Sequence, residues 1–491
     1  MYKKLLLAFS IFILQINFSF AQYLGGSNND RGVSFCQSTS GDFYLTGKTR
    51  SYGAGSDDIW LIKVRDNFTT DFHTEWGGIH RDEAKQIINT SDGNLVMIGY
   101  SWDAIPWGRN DVVLIKFDLE GSVIWSSYFG GYDNDDVNGI FETSDSGFLI
   151  TGLNRVEGSI GSAFLIKTDA LGNLEWQQFY DTPKKDIGID VIETNNDSLL
   201  ILVNTNSFLS KTANSSEYKG PETSGFMLIK TDIEGNEAWR KSYGGAKFDF
   251  AKKIISDGNG DFYILGSSMN NSNGSFDITL HKINNQGDII WQKHYGGLYY
   301  DYGNDIDINT NEELLITGYT GSFSSGLSPY IYIIKLDSDG NEIWTDTYGG
   351  TGSNYGNCGQ FLNDGNIAIL GSAENGSDNK LDLYFIKLSE SGEIINTLSE
   401  DSGISNHLSD NQVSLYPNPA NTFINININN SVPHQNVEFI LSNISGQIVF
   451  RIKYNNTSRK KISLNPDLQK GIYTYSVITD TKSFNGKLII N

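Results

Sequence analysis

The chain has 491 residues, a formal net charge of −22, 52 glycines, 8 prolines and 12% aromatic side chains. So acidic a molecule repels phosphate backbones, which argues against a nucleic-acid partner, and so aromatic a composition argues against disorder. Beyond the N-terminus no segment approaches 18 consecutive apolar residues, so the mature chain is expected to carry no transmembrane helix.

Residues 1–21 read as a signal peptide. Lys3 and Lys4 precede the apolar stretch 5–14, broken only by Ser10, and Ser19-Phe20-Ala21 supplies a small-x-small cleavage site before Gln22. The exported chain is expected to begin near Gln22.

The stretch 22–398 repeats. An apolar run ending in lysine recurs at Lys63, Lys116, Lys167, Lys230, Lys282, Lys335 and Lys387, with gaps of 53, 51, 63, 52, 53 and 52 residues. A unit of this length that cannot bury its own apolar face must stack on its neighbours. Around each lysine lie four short apolar or β-branched runs bounded by Gly, Asn, Asp or Ser, the signature of strands joined by hairpins. Five residues after the lysine stands a turn glycine (Gly121, Gly172, Gly235, Gly287, Gly340, Gly392), replaced by Phe68 in the first unit. Nine residues after it stands a tryptophan (Trp125, Trp176, Trp239, Trp291, Trp344), replaced by Phe72 in the first unit and Asn396 in the last. A large aromatic at one register in successive units suits packing between sheets.

Most fourth runs end in Gly-Gly, and four residues later come Asp30, Asp82, Asp135, Asp249 and Asp301, with Asn354 in the last unit. This acid is expected to cap the incoming loop through backbone N–H groups. Two residues further a small side chain recurs, as at Gly32, Ala84, Ala251, Gly303 and Gly356, which suggests that the first strand runs near a crowded axis. Asp133-Asn134-Asp135-Asp136 is the best local cluster for calcium, but it lacks the spacing and terminal Glu of a known calcium loop. Seven four-stranded units in a ring make a β-propeller. With Thr317-Gly318-Tyr319-Thr320 and the Trp and Tyr-Gly-Gly signals, the stretch resembles the bacterial seven-bladed β-propeller repeat. The resemblance implies a fold and leaves the activity open, because propellers host many functions.

Ring closure would set the first and last units side by side. Cys36 and Cys358 lie on their first strands, a candidate disulfide stapling the ring, although their offsets from Gly-Gly differ by two residues. The long gap reflects an insertion at 205–224, rich in Ser, Asn, Thr and Lys.

After 399–412, a polar linker, the stretch 413–491 holds six or seven alternating runs, which argue for a small Ig-like β-sandwich. From Asn411 onward eight Lys or Arg stand against three acids, so the acidic charge belongs to the repeats. Leu415-Tyr416-Pro417-Asn418-Pro419-Ala420, Ile444-Ser445-Gly446-Gln447, Gly471-Ile472-Tyr473 and Gly486-Lys487-Leu488 follow in order. In these elements the module is similar to the C-terminal sorting domain of the type IX (Por) secretion system of Bacteroidetes. That resemblance implies recognition by the type IX machinery through Tyr416, Pro417, Asn418, Pro419, Gly471, Tyr473 and Lys487, and a passenger that is secreted or attached to the cell surface.

Chemistry-bearing motifs are absent. The six histidines show no metal-ligand spacing, and no nucleophile elbow, phosphate loop or Cys-x-x-Cys occurs. No catalytic residue, cofactor or metal is therefore assigned, and the expected function is a non-enzymatic extracellular binding protein for a glycan or protein ligand. The rivals are a glycan-active hydrolase or lyase, whose carboxylates would be sought at Glu83, Asp136, Asp186, Asp305 and Asp307, and a structural spacer.

Overall fold

A computed structural model describes residues 22–395, except 55, 103–109, 132, 156–160, 195–196, 209–222, 245–246, 270–274, 325–327, 350–351 and 375–379. It further describes 413–490, except 417–422, 429–436, 444–446, 455–458, 465–467, 470 and 480–482. Residues 1–21 and the linker 399–412 lie outside the described residues.

Every described strand pairs antiparallel, and the first compact unit holds seven four-stranded sheets. Blade 1 comprises Asp30–Gln37, Phe43–Thr49, Asp58–Val64 and Thr70–Trp76, and blades 2 to 6 repeat this order over 82–129, 136–180, 186–243, 249–295 and 301–348. The first strand of each blade abuts that of the next, and the ring closes from blade 7 onto blade 1. In blade 2 the second and third strands, Leu95–Ser101 and Asp111–Phe117, are buried along their whole length. They are sandwiched on both faces, which is why these runs read as continuously apolar rather than alternating. Fourth strands such as Val123–Phe129 form the exposed rim.

Blade 7 departs from the pattern. Its Asn354–Phe361, Ile367–Glu374 and Leu381–Leu388 are completed by Gln22–Leu24, with Tyr23 opposite Tyr384. The fourth strand of the last blade thus comes from residues 22–24, and Asn396 lies outside the described residues. Gly25-Gly26, a Gly-Gly with no lysine unit ahead of it, was the available signal.

Two features bind blade to blade. Each fourth-strand aromatic leans on the next blade's outer turn, where a side chain on Gly172 would strike Trp125 and one on Gly340 would strike Trp291. These glycines also have φ near +75°, at +77° and +74°. Phe68 adopts φ +63° in the first blade and stacks on Phe385 of blade 7 at 4.8 Å. It fills the seam between blades 1 and 7, where no tryptophan is supplied by the strand Gln22–Leu24. The tryptophans are packing residues, as the repeat register implied.

Every first strand also carries a bulge at one register, just after the small residue in six blades, as at Gly32/Ser34 and Gly356/Cys358, and after Val137 in blade 3. The small residue faces the preceding blade rather than the axis: a Cβ on Gly303 would meet Leu265 of blade 5. Its partner on the second strand, Gly318, lies against the Tyr302 carbonyl, which the bulge pushes across the sheet. That contact is the physical reason for the Thr-Gly-x-Thr motif.

The second compact unit, beginning at Leu398, has one three-stranded and one four-stranded sheet. Ile424 and Ile426 from the first share a buried core with Phe439, Leu441, Val477 and Leu488 from the second, the packing of a β-sandwich.

Candidate functional site at the channel mouth

The seven first strands surround a cavity of about 790 Å³. At the residue after each capping acid the repeat symmetry breaks: Arg31, Glu83 and Asp136 occupy blades 1 to 3, Ile187 blade 4, and Phe250, Tyr302 and Tyr355 blades 5 to 7, and of these Arg31 and Glu83 line the cavity. The capping acids themselves act as expected. Asp30 accepts from the Gly26 and Arg50 N–H groups at 2.8 and 3.0 Å, Asp82 from Gly78 at 2.9 Å, and Asp301 from Gly297 at 2.8 Å.

The charged arc is internally neutralised. Glu83 accepts from Lys48 at 2.9 Å, Arg81 at 2.8 Å and the Tyr100 hydroxyl at 2.8 Å, with Lys85 at 3.6 Å. Burial alone would raise its carboxyl, but Lys85 and Lys48 hold it down to about 2. Asp136 is half exposed, 3.8 Å from Lys85.

The aromatic arc is a continuous row of half-buried rings. Phe250 meets Phe276 at 5.6 Å, Phe276 meets Tyr302 at 5.2 Å, Tyr302 meets Tyr319 at 5.2 Å, and Tyr319 meets Tyr355 edge-on at 5.1 Å. Tyr302 and Tyr319 are cross-strand partners, while Phe250, Phe276 and Tyr355 come from the flanking blades. Exposed Phe248, Leu298, Tyr299 and Phe323 belong to the loops of blades 5 and 6 on the same side of the ring. Sequence reading missed this row because its five rings are spread over three units. Aligning the residue after the capping acid would have found three of its members.

Deeper acids are committed to the scaffold. Asp305 accepts from Gly359 N–H at 3.1 Å and Asp307 from Phe361 N–H at 2.7 Å, both across the blade 6 to blade 7 interface. Asp190 does the same for Ile254, beside Lys253 at 3.8 Å. Burial pushes Asp307 up to about 6. Asp186 lies away from the channel and accepts from Thr182 N–H at 2.6 Å. The structure therefore brings Glu83 and Asp136 to one rim, places Asp305 and Asp307 inside the channel, and leaves Asp186 out.

The candidate disulfide between Cys36 and Cys358 is not formed, and both are buried free thiols. Alternation along the strand turns Phe35 towards blade 7 and Cys36 towards blade 2, where it packs with Tyr44, Ile59 and Met97. Cys358 faces Phe35, Phe43 and Leu370 instead. The repeat lysines, for which the sequence offered no role, pin the hairpin between first and second strands: Lys116 meets Asp92 at 2.7 Å, Lys167 meets Asp145 at 2.9 Å and Lys335 meets Glu313 at 2.9 Å.

Of the sorting residues, Tyr473 is buried and its hydroxyl donates to the Gln469 carbonyl at 2.7 Å, and Gly471 opens the same strand. Tyr416 pairs with Asn425 and Lys487 with Thr474 through the backbone. Pro417, Asn418 and Pro419 lie outside the described residues. Residues 414–491 match the family model of the secretion system C-terminal sorting domain. The C-terminal unit is a sorting domain. A sorting domain of this kind directs type IX export, so the protein is secreted or held at the outer cell surface.

No match appears among curated proteins. Among solved structures the chain is similar to the β-propeller domain of the Trilobed protease from Pyrococcus furiosus, at 12% identity over 78% of this chain and 98% of that one, with a TM-score of 0.42. It is also similar to the acylaminoacyl peptidase of Pyrococcus horikoshii, at 13% identity over 83% of this chain and 57% of that one, with a TM-score of 0.44. An α-L-arabinofuranosidase from Fusarium graminearum is 10% identical over 76% and 99%, with a TM-score of 0.39. Nothing about chemistry is carried over from these likenesses.

Proposed function

We propose that the propeller is a non-enzymatic binding module, carried out of the cell by the sorting domain, and that the aromatic arc on blades 5 to 7 is its contact face for an extracellular glycan. The observation that carries this reading is the break in symmetry at Phe250, Tyr302 and Tyr355, joined by Phe276 and Tyr319 into one row. A scaffold built from seven nearly equal units has no packing need for a ring at three adjacent rim positions and charges at three others. Ring faces and edges stack on the apolar side of a sugar, while tyrosine hydroxyls bond its alcohol groups. The rival reading as a hydrolase or lyase is weakened by the channel acids: Glu83 is held ionised by its cations, and Asp305 and Asp307 are spent on backbone N–H groups.

The test is a glycan array and a polysaccharide-cleavage assay on the exported chain. Binding without cleavage is expected, falling about tenfold or more in the double variant Y302A/Y355A, since loss of about 1.4 kcal/mol is a factor of ten. Cleavage would overturn the non-enzymatic reading, and silence on every glycan would move the contact face to a protein ligand or leave the propeller a spacer.

A further inference from the structure

Between blades 2 and 3 two buried acids converge, and among the described residues no cation is ion-paired with them. Asp111 begins the third strand of blade 2 and is 0% exposed, and Asp135, the capping acid of blade 3, is 3% exposed. A Cβ built on Gly130 would fall on Asp111 Oδ1 and within 2.9 Å of Asp135 Oδ2, so both oxygens converge on one small space. Asp135 Oδ1 is taken by Asn154 Nδ2 at 3.0 Å and the Arg155 N–H at 3.1 Å. Asp135 Oδ2 and both oxygens of Asp111 are buried without a hydrogen-bond donor in bonding geometry, although the Gly131 N–H lies towards both carboxylates. The neighbouring Asn110 Oδ1 is a further buried oxygen without a donor. Among the described residues no Lys, Arg or His is ion-paired with either acid.

Acids converge in the same way at three other junctions, Asp58 with Asp82, Asp277 with Asp301 and Asp382 with Asp30, and two of these carry a donor that blade 3 lacks. Where Asp382 faces Asp30 and Asp277 faces Asp301, a serine of the adjoining loop donates to the capping acid: Ser51 Oγ to Asp30 at 2.6 Å and Ser322 Oγ to Asp301 at 2.7 Å. Blade 3 offers Asn154 and Arg155 to the other oxygen and leaves Oδ2 bare. Burying two like charges without a counter-charge costs several kcal/mol, so a natural chain that keeps them supplies either a proton or a cation.

We infer that Asp111 and Asp135 form a calcium-binding site at the junction of blades 2 and 3. The donors are all oxygen, which selects a hard cation over zinc or copper. Two carboxylates balance its charge, and the few protein ligands leave room for waters, as calcium tolerates. A site of this low ligand count belongs with extracellular modules that bind at about 10⁻⁴–10⁻³ M.

The test is isothermal titration of calcium chloride into the EDTA-stripped exported chain, with thermal unfolding in EDTA and in 10 mM calcium. Wild type is expected to unfold a few degrees higher in calcium, by mass action on the folded state. D111N is expected to bind one calcium fewer and lose that rise, while remaining at least as stable as wild type in EDTA because its amide ends the repulsion. D277N, at a serine-supplied junction, keeps the calcium response. Absence of calcium binding in wild type would overturn the proposal in favour of a shared proton. So would a D111N chain with unchanged stoichiometry and an unchanged rise. Wild-type titration decides the question even if D111N fails to fold.

Discussion

Gly318 and Phe68 illustrate what single residues do here. At Gly318 the bulge of the first strand leaves no room for a Cβ against the Tyr302 carbonyl, so Gly318→Ala is expected to cost about 2 kcal/mol or more, read from urea unfolding. Phe68 presents the opposite case. Its φ of +63° is strained for phenylalanine, yet Phe68→Gly is expected to destabilise by about 1–3 kcal/mol, because the ring stacked on Phe385 is what fills the seam. A stabilised Phe68→Gly would refute this role of the ring at the seam. Asp307 makes a pH prediction. Burial raises its carboxyl in the folded state to about 6, so the folded protein holds its proton more tightly than the unfolded chain. Stability is then undiminished below pH 4, falls as pH rises from about 4 to 6, and stays reduced above. Asp307→Asn keeps an acceptor for the Phe361 N–H and should flatten that part of the profile of unfolding midpoint against pH. Asp111 slopes in the same sense, so the profile of D307N retains a part. The turn glycines and the Thr-Gly motif were legible in the sequence as positions; their reasons lay in atoms of other strands and blades.

At the scale of elements the short strand Gln22–Leu24 has the largest leverage. Without it blade 7 exposes the edge of Leu381–Leu388, a row of unpaired backbone groups open to another chain. Deleting residues 22–26 is expected to lower the melting temperature and produce dimers or aggregates by size-exclusion chromatography. A monomer as stable as wild type would show that closure contributes little. Strands were legible because Gly, Asn, Asp or Ser bounds each run: the run ending in Lys116 is the strand Asp111–Phe117, and that ending in Lys335 is Tyr330–Leu336. The origin of the seventh blade's last strand was not legible, since local pattern cannot show which distant segment supplies a missing partner. The lysine that defines the period was likewise visible without its purpose, because its acid lies more than 20 residues earlier, as Asp145 does from Lys167.

For the whole molecule, the division of labour is a ring that presents a face and a sandwich that takes the chain out of the cell. Truncation after residue 398 is expected to leave a folded propeller retained in the cell fraction, whereas equal amounts of truncated and full-length protein outside would refute the role of the sorting domain. The sequence by itself determined the number of blades, the all-β class and the export signal, because each is written as a local pattern repeated or ordered along the chain. Only the tertiary structure decided which residues meet at the channel mouth, why Phe68 replaces glycine, and that Cys36 and Cys358 face opposite interfaces. Those outcomes depend on side chains from blades dozens to hundreds of residues apart, and on the alternation of each strand, where a shift of one residue turns a side chain from one blade interface to the other.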